Sequence, residues 1–386
     1  MKKISLYIHV PFCKKKCSYC DFVSYENVEE NLIDQYFQAL YEEIRAYRTL
    51  LNGNYTVETI FIGGGTPNFV AVEYIEKLMQ VLFDSFEVEK DAEITMEANP
   101  NGHSSKEEML RYKKAGINRL SLGLQSADDA LLKEIGRSHC FQDFQDAFAA
   151  ARQAGFDNVN IDLIFGFFGQ DRKAFEDTVQ YVVQTQCEHV SAYSLKLGEE
   201  TPLYETYMEQ GIDVEEEDWE DREMYRYVCR ELEENGYEQY ELSNFAKKGY
   251  LCKHNTNYWD TKEYIGFGVA AHSYKDHARF FNTSDLEQYL EDIKRNASAI
   301  EEIEQLNLQK RKEEFIIMGL RKTKGFEVDD YTRRFGSDFF ADYEKETAYL
   351  IEAKLIETDK KNVWLTEEGK DFANIAMMEF ITEINY

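Results

Sequence analysis

No stretch of the 386-residue chain approaches the ~20 uninterrupted apolar residues that a membrane helix needs, so no transmembrane segment is expected. The opening MKKISLYIHVPFC lacks the apolar run of about 7–15 residues and the small-residue cleavage site of a signal peptide. A cytoplasmic location with reduced thiols is therefore the expectation. The seven cysteines, an odd number, do not suit a disulfide framework. Cations are scarce: 44 Lys+Arg stand against 73 Asp+Glu, a net charge of −29. Phosphate backbones are held by Lys and Arg, so no nucleic-acid partner is expected. Apolar side chains are not scarce, at 43%, which excludes a disordered chain.

Strand-like and helix-like pieces alternate through the first half. Strands are expected at 4–10, 57–63, 92–98, 119–125, 158–166 and 189–197, most of them apolar on both faces as covered parallel strands are. Between them, residues 32–50 put Ile33, Phe37, Tyr41 and Ile44 on one helical face, and residues 71–86 do the same with Ile75, Leu78, Met79 and Leu82. The pattern predicts an α/β fold with a parallel sheet, open or curved into a partial (β/α)6 barrel, with its site at the C-terminal strand ends. The rhythm changes after residue 200. An acidic helix (213–235), a strand (238–244) and a polar, aromatic, Gly-rich stretch to about 282 make an α+β extension. From 305 the expectation is helices at 310–322, 327–335 and 338–352, a β-wing and a helix capped at Thr366, a winged-helix-like module. The expected division is 1–200, 201–304 and 305–386. DNA binding does not follow from the last piece, because the acidic balance opposes it.

The unusual residues cluster after the first three strands. Cys13-x3-Cys17-x2-Cys20 packs three thiolate donors into eight residues, Gly63-Gly64-Gly65-Thr66-Pro67 follows the second strand, and Glu97-Ala98-Asn99-Pro100 follows the third. A zinc site would want a fourth Cys or His nearby, and residues 21–53 contain none. A redox pair needs no third cysteine. Three ligands to a four-iron cluster leave one iron open. Cys140, Cys187, Cys229 and Cys252 stand singly and read as packing residues.

With Tyr19 ahead of the last cysteine and GGGTP after strand two, the chain resembles the radical S-adenosylmethionine (SAM) superfamily, and within it the HemN/HemW group nearly end to end. The resemblance implies a [4Fe–4S] cluster on Cys13, Cys17 and Cys20. SAM would chelate its open iron, to be cleaved reductively to methionine and a 5′-deoxyadenosyl radical. It also implies a reductant such as flavodoxin. Residue by residue, Tyr7 matches the tyrosine ahead of the cluster loop and Tyr19 the aromatic beside the adenine. Gly64, Gly65 and Thr66 match the turn that meets the methionine amino group, where glycine lets backbone come close. Glu97 is a strand-end carboxylate able to accept from a ligand ammonium. Gln125, Arg137 and Asp162 match further cofactor-contacting positions, Asp162 resembling a ribose-hydroxyl acceptor, and Lys196 aligns loosely. Read without the resemblance, the last group are a strand-end amide, a surface ion pair and a strand-end cap. Two departures stand out: Gly166-Phe167-Phe168-Gly169-Gln170 where the family has Gly-Leu-Pro-Gly-Gln, and the altered second half of Gly266–His272. Losing the proline is expected to loosen the turn after strand five.

The group contains anaerobic coproporphyrinogen III dehydrogenases and haem chaperones. The dehydrogenases carry a further cysteine two residues after the third ligand, where this chain has Phe22, and an extension ahead of the cluster. The motif His254-Asn255-Thr256-Asn257-Tyr258-Trp259 matches the chaperones' HNxxYW, associated with haem. The resemblance thus implies a haem- or porphyrin-binding chaperone with a haem-acceptor protein as partner. The alternatives are a porphyrinogen-oxidising enzyme and a haem-binding protein whose cluster is structural. His254 is expected as an iron ligand, Tyr258 and Trp259 as flanks of the porphyrin face, and Lys247, Lys248 or Lys253 as propionate partners. The same residues also read as a structural loop with a solvated lysine cluster.

Overall fold

The computed structural model describes residues 1–212 and 219–381. The start of the expected acidic helix, 213–218, lies outside them; the helix is described from Trp219 to Glu234. Six parallel strands, β1 (Lys2–Val10), β2 (Tyr55–Gly64), β3 (Val88–Ala98), β4 (Arg119–Gln125), β5 (Val159–Phe165) and β6 (His189–Ser194), lie side by side in chain order. Helices cross between them. Helix Glu30–Ala46 buries Ile33, Phe37, Tyr41 and Ile44, and helix Val72–Ser85 buries Ile75, Leu78, Met79 and Leu82, as their spacing predicts.

The parallel run is longer than expected. In the Gly-rich stretch, β9 (Tyr264–Phe267) pairs parallel to β1, and β10 (His272–Lys275), β11 (Ala278–Asn282) and β12 (Ile300–Gln305) add antiparallel beyond it. At the other side the expected strand 238–244 is a hairpin, β7 (Glu238–Glu241) and β8 (Asn244–Ala246), with β8 antiparallel to β6. The result is an open twelve-stranded mixed sheet with β9 beside β1 and β8 beside β6. The α/β class holds; the first six strands do not close on one another.

The strands are not apolar on both faces. One face carries Ile4, Leu6, Ile8, Ile60, Ile62, Ile94, Met96, Leu120, Leu122, Ile161 and Leu163, all buried under the helices. The alternate positions are polar: Ser5 and His9, Thr59, Glu93, Thr95 and Glu97, Arg119 and Ser121, Asn160 and Asp162, His189 and Ser191. Buried polar groups need partners, and several of these find one another, while Thr95 Oγ1 and Arg119 Nε stay unpaired. Asn160 donates to Ser121 Oγ at 2.6 Å and Asp162 Oδ1 at 2.8 Å, and His189 bonds Asn160 Oδ1 at 2.6 Å and the Tyr240 hydroxyl at 2.8 Å.

Beyond β12 a separate cluster of buried side chains, Phe315 to Phe380, packs helices Leu308–Leu320, Val328–Phe335 and Glu344–Glu352 on a three-stranded sheet. That sheet orders β13 (Phe326–Glu327), β15 (Asn362–Leu365) and β14 (Ile356–Thr358). The expected helix 338–352 is broken at Tyr343, and Thr366 caps its helix by accepting from Gly369 N at 2.8 Å.

Candidate functional site

The cysteine loop is a closed excursion. Tyr25 N donates to Pro11 O at 2.7 Å and Cys13 N to Tyr25 O at 3.0 Å, which pins both ends. Cys20 N reaches Cys17 O at 3.2 Å, and Ser18 N reaches Ile135 O at 3.1 Å, so the turn is also held from the β4 side. The glycine turn is stitched to it: Gly65 N donates to Val10 O at 2.9 Å and Thr66 N to Phe12 O at 2.8 Å. At Gly64, φ is +107° and a Cβ would lie 2.6 Å from the His9 ring. At Gly65 a Cβ would lie 2.9 Å from the Phe12 backbone N and O. Backbone cannot yield as a side chain can. Gly65→Val is therefore expected to displace the Phe12–Cys13 segment and lower stability by about 1–3 kcal/mol, with reduced iron loading on reconstitution. Denaturant unfolding and iron analysis check this; wild-type values for both would remove the close packing from the argument.

The loop and turn open on a cavity of about 510 Å3 at the C-terminal ends of the parallel strands. Cys13, Cys17, Cys20 and Tyr19 form one wall, and Gly64, Gly65 and Thr66 another. Glu97, Gln125, Arg137, Asp162 and Lys196 complete the set that the sequence brought forward. Phe22 and Asn99, named above for other reasons, also line it, as do Asp21, Ser121 and Tyr193, which were not singled out. Period-two polar alternation along β4 and β6 is the signal that marks Ser121 and Tyr193. Tyr7 is not in the wall; its hydroxyl sits 3.0 Å from His9 Nδ1, and His9 Nε2 lies 2.8 Å from Val23 O. Those two side chains brace the loop from below, and burial lowers His9 to about 4, leaving a neutral ring.

Burial opposes negative charge on the cysteines, and one cation stands beside them to offset it. Burial raises the Cys13 thiol and pushes Cys20 up to about 11. Thr66 Oγ1 lies 3.5 Å from Cys13 Sγ, and Arg137 Nη1 lies 3.5 Å from Cys17 Sγ while Nη2 donates to Gly123 O at 3.2 Å. Arg137 Nε, Gln125 Oε1 and Asn99 Oδ1 are buried with no partner. Gln125 is held at φ +65°, a strained conformation that occurs at ligand clamps. Among the described residues no three His, Cys, Asp or Glu side chains gather around a single metal ion. Three thiols and unpaired polar atoms around one cavity fit a polynuclear cluster with a polar ligand.

Glu97 accepts from Gly64 N at 3.2 Å, and burial followed by the Asp162 charge pushes it up to about 8. Asp162, bonded by Ser121 at 2.9 Å, is raised by burial as well. Burial lowers Lys196, with Arg321 adding to the effect. Between its unfolded value of 4.5 and about 8, Glu97 binds a proton in the folded chain that the unfolded chain has released. Stability is thus lost as pH rises through that window. Glu97→Gln should flatten this part of the profile, read as melting temperature from pH 5 to 9; an unchanged slope would refute the shift.

The turn after β5 is tied rather than loosened. Gln170 Oε1 accepts from Gly166 N at 2.9 Å, and Phe168 N donates to Tyr207 Oη at 3.2 Å, a bond that proline could not make.

The HNxxYW segment forms the helix Lys253–Trp259, laid on the polar face below the cavity. His254 N donates to Glu93 Oε1 at 3.0 Å, Nδ1 lies 2.8 Å from Thr59 Oγ1 and Nε2 2.9 Å from Tyr258 Oη. Asn257 Nδ2 donates to Ser5 Oγ at 2.9 Å. Glu93 is four residues before Glu97 on β3, roughly 13 Å at strand rise. His254 is 1% exposed and burial lowers it to about 3, so it is a neutral ring with both nitrogens engaged. Asn255 is half-buried, with its backbone N–H toward Cys252. Tyr258 packs edge-on to Tyr264. Trp259 faces away, under the Arg321 guanidinium at 4.4 Å. Lys247 donates to Gln186 O at 2.8 Å and Lys253 reaches Asp91 O at 3.4 Å. The lysines therefore do not gather at His254 as the sequence suggested.

The radical SAM superfamily model matches residues 7–182 and the HemN C-terminal domain model residues 306–372. The chain is 35% identical to the heme chaperone HemW of Bacillus subtilis over 382 residues, covering 98% of this chain and 100% of that one. It is 33% identical to the HemW of Lactococcus lactis over 386 residues, covering 100% and 99%. Among solved structures, coproporphyrinogen III oxidase (HemN) from Escherichia coli superposes with a TM-score of 0.86 at 23% identity, over 99% of this chain and 91% of that one; this shows the fold. No helix among the described residues is long and apolar enough to cross a membrane. Identity spread over the whole length, joined to the three-cysteine loop, makes the chain a member of the HemW family of radical SAM proteins.

Proposed function

We propose that this protein is a radical SAM haem chaperone, which binds haem and passes it to an acceptor protein. The observation that carries the radical SAM part is the single cavity on which Cys13, Cys17 and Cys20 meet Gly64, Gly65, Thr66, Glu97, Gln125, Arg137 and Asp162. The three thiolates hold a [4Fe–4S] cluster, and Arg137 supplies a cation beside Cys17 to balance it. When bound, the cluster supplies the electron for reductive cleavage of SAM, drawn from a reductant such as flavodoxin. Glu97, raised to about 8 by burial, would give up its proton to solvent and accept from a ligand ammonium, whose charge favours the carboxylate. Asp162 accepts from a sugar hydroxyl, and Tyr19, set edge-on to Phe167 at 5.9 Å, covers a base.

Two features support the chaperone over the dehydrogenase: Phe22 replaces the further cysteine, and the full-length relatives are named chaperones. The test is an anaerobic incubation of the reconstituted protein with coproporphyrinogen III, SAM and reductant, alongside a haem titration. Stoichiometric haem binding without porphyrinogen decarboxylation is the expected result. Formation of protoporphyrinogen with matching SAM consumption would replace this reading by the dehydrogenase.

A further inference from the structure

The helix Lys253–Trp259 has two sides. His254, Asn257 and Tyr258 lock it to the polar face of the sheet, whereas Thr256 and Trp259 look into a second cavity, between this helix and the C-terminal helices and sheet. This groove measures about 870 Å3, inside the ~300–1,000 Å3 range of small-molecule and cofactor sites. Its composition runs against the rest of the chain. In a protein with 73 carboxylates to 44 cations, its walls carry Lys262, Lys322, Lys324, Arg333 and Arg334 against three carboxylates. Apolar surface comes from Trp259 and Trp364, with Phe315 and Phe326. The Trp259 Nε1–H is buried without a partner.

We propose that this groove is the porphyrin site: it takes a flat aromatic ring against Trp259 and Trp364 and its two carboxylates on Lys324 and Arg333. The site rests on the haem-chaperone reading and deepens it. Lys324 and Arg333 are the cations free to engage. Their side chains are 84% and 70% exposed, and each is held only by a surface pair, to Glu238 at 2.7 Å and Asp330 at 3.3 Å. Such pairs contribute ~0.2–1 kcal/mol and exchange readily for another carboxylate. Lys322 and Arg334 are committed instead to Asp260 and Asp330, at 2.7 and 2.9 Å, and shape the wall. No His, Cys, Met or Tyr lines the groove, so ring stacking and charge, rather than an iron ligand, hold the guest. His254, on the opposite side of the same helix, acts as a positioning residue for Trp259. The groove also backs toward the cysteine cavity: Arg321 stacks on Trp259, and its charge is felt by Lys196, which lines that cavity.

The experiment titrates the full-length protein with Fe(III) protoporphyrin IX and with metal-free protoporphyrin IX, at low and high salt. Tryptophan fluorescence is the readout, since two of the three tryptophans line the groove. Wild type should bind both porphyrins with similar affinity, weakened by salt. The double variant Lys324→Glu/Arg333→Glu should bind both about tenfold more weakly and lose the salt dependence. Lys324→Gln/Arg333→Gln should fall between, and both variants should melt as wild type does. A charge-reversed protein that binds haem with wild-type affinity and salt dependence overturns the groove while the chaperone reading stands. Binding of the iron porphyrin without the metal-free one also overturns it, because an iron ligand elsewhere would then carry the affinity. A wild type that binds neither porphyrin overturns the chaperone reading and the groove together.

Discussion

A Cys17→Ala protein should emerge from anaerobic reconstitution without an iron–sulfur chromophore, where wild type carries about four iron and four sulfide per chain. The loss is expected to be complete, because three protein ligands are the minimum that leaves a single iron open. The fold should survive it. The loop is fixed by main-chain bonds from Cys13 N to Tyr25 O and from Ser18 N to Ile135 O, neither of which involves the Cys17 sulfur. Arg137 loses its Cys17 contact but keeps its bond to Gly123 O. Far-ultraviolet circular dichroism should thus match wild type while iron content, the reduced-cluster electron paramagnetic resonance signal and SAM cleavage vanish together. A normal cluster in the variant would show that the ligand set is wrong.

A loss of stability with its own pH signature should come from Arg119→Met. Arg119 is 2% exposed in the middle of the polar face, and its guanidinium is the cation that offsets Glu93, Glu97 and Asp162. Methionine fills much of the volume but removes the positive charge that favours their ionised forms. The Arg119 charge reaches them through space, with its Nε unpaired, so its removal is expected to cost roughly 1–3 kcal/mol, less than breaking a direct buried pair. The sign with pH follows. Arg119 holds Glu97 and Asp162 below the values that burial alone would give them, so its loss raises both further. Carboxyls with raised folded values destabilise increasingly as pH rises through the window between unfolded and folded values. The deficit against wild type should therefore be larger at pH 8 than at pH 6. Urea unfolding at the two pH values reads it; an equal loss below ~1 kcal/mol at both would contradict the role given to Arg119.

What the sequence made legible depended on whether a signal was local. Helix faces such as Ile33-Phe37-Ile44 and the strand ends carrying Cys13, Gly64 and Glu97 are written in short spacings, and these residues meet on one cavity. The polar alternation of Glu93, Thr95 and Glu97 was equally local but was read as general apolarity, because the intervening Ile94, Met96 and Ala98 dominate the average. The strands of the Gly-rich stretch were not legible. β9 is four residues long and owes its existence to its pairing with β1, more than 250 positions earlier. A separation of 195 positions from Thr59 and 161 from Glu93 likewise hid the setting of His254. Residue type alone suggests a ligand, and only the positions of Thr59 and Tyr258 show that both ring nitrogens are already engaged.

The helix Lys253–Trp259 also bears on how the chain reaches its native state. Ser5, Thr59 and Glu93 receive their partners from residues 253–257, and Glu43 from Gly268, Asn282 and Tyr289. A nascent chain that has emerged only to residue 200 holds every cysteine ligand, yet its polar face is still hydrated and its first strand lacks one neighbour. Closure must wait for close to 90 further residues, and pairings of such sequence separation form slowly. A fragment ending after β6 should consequently remain open on that face and prone to self-association. The cluster-binding segment is thus the first part made, while the polar face below it is completed by residues made much later.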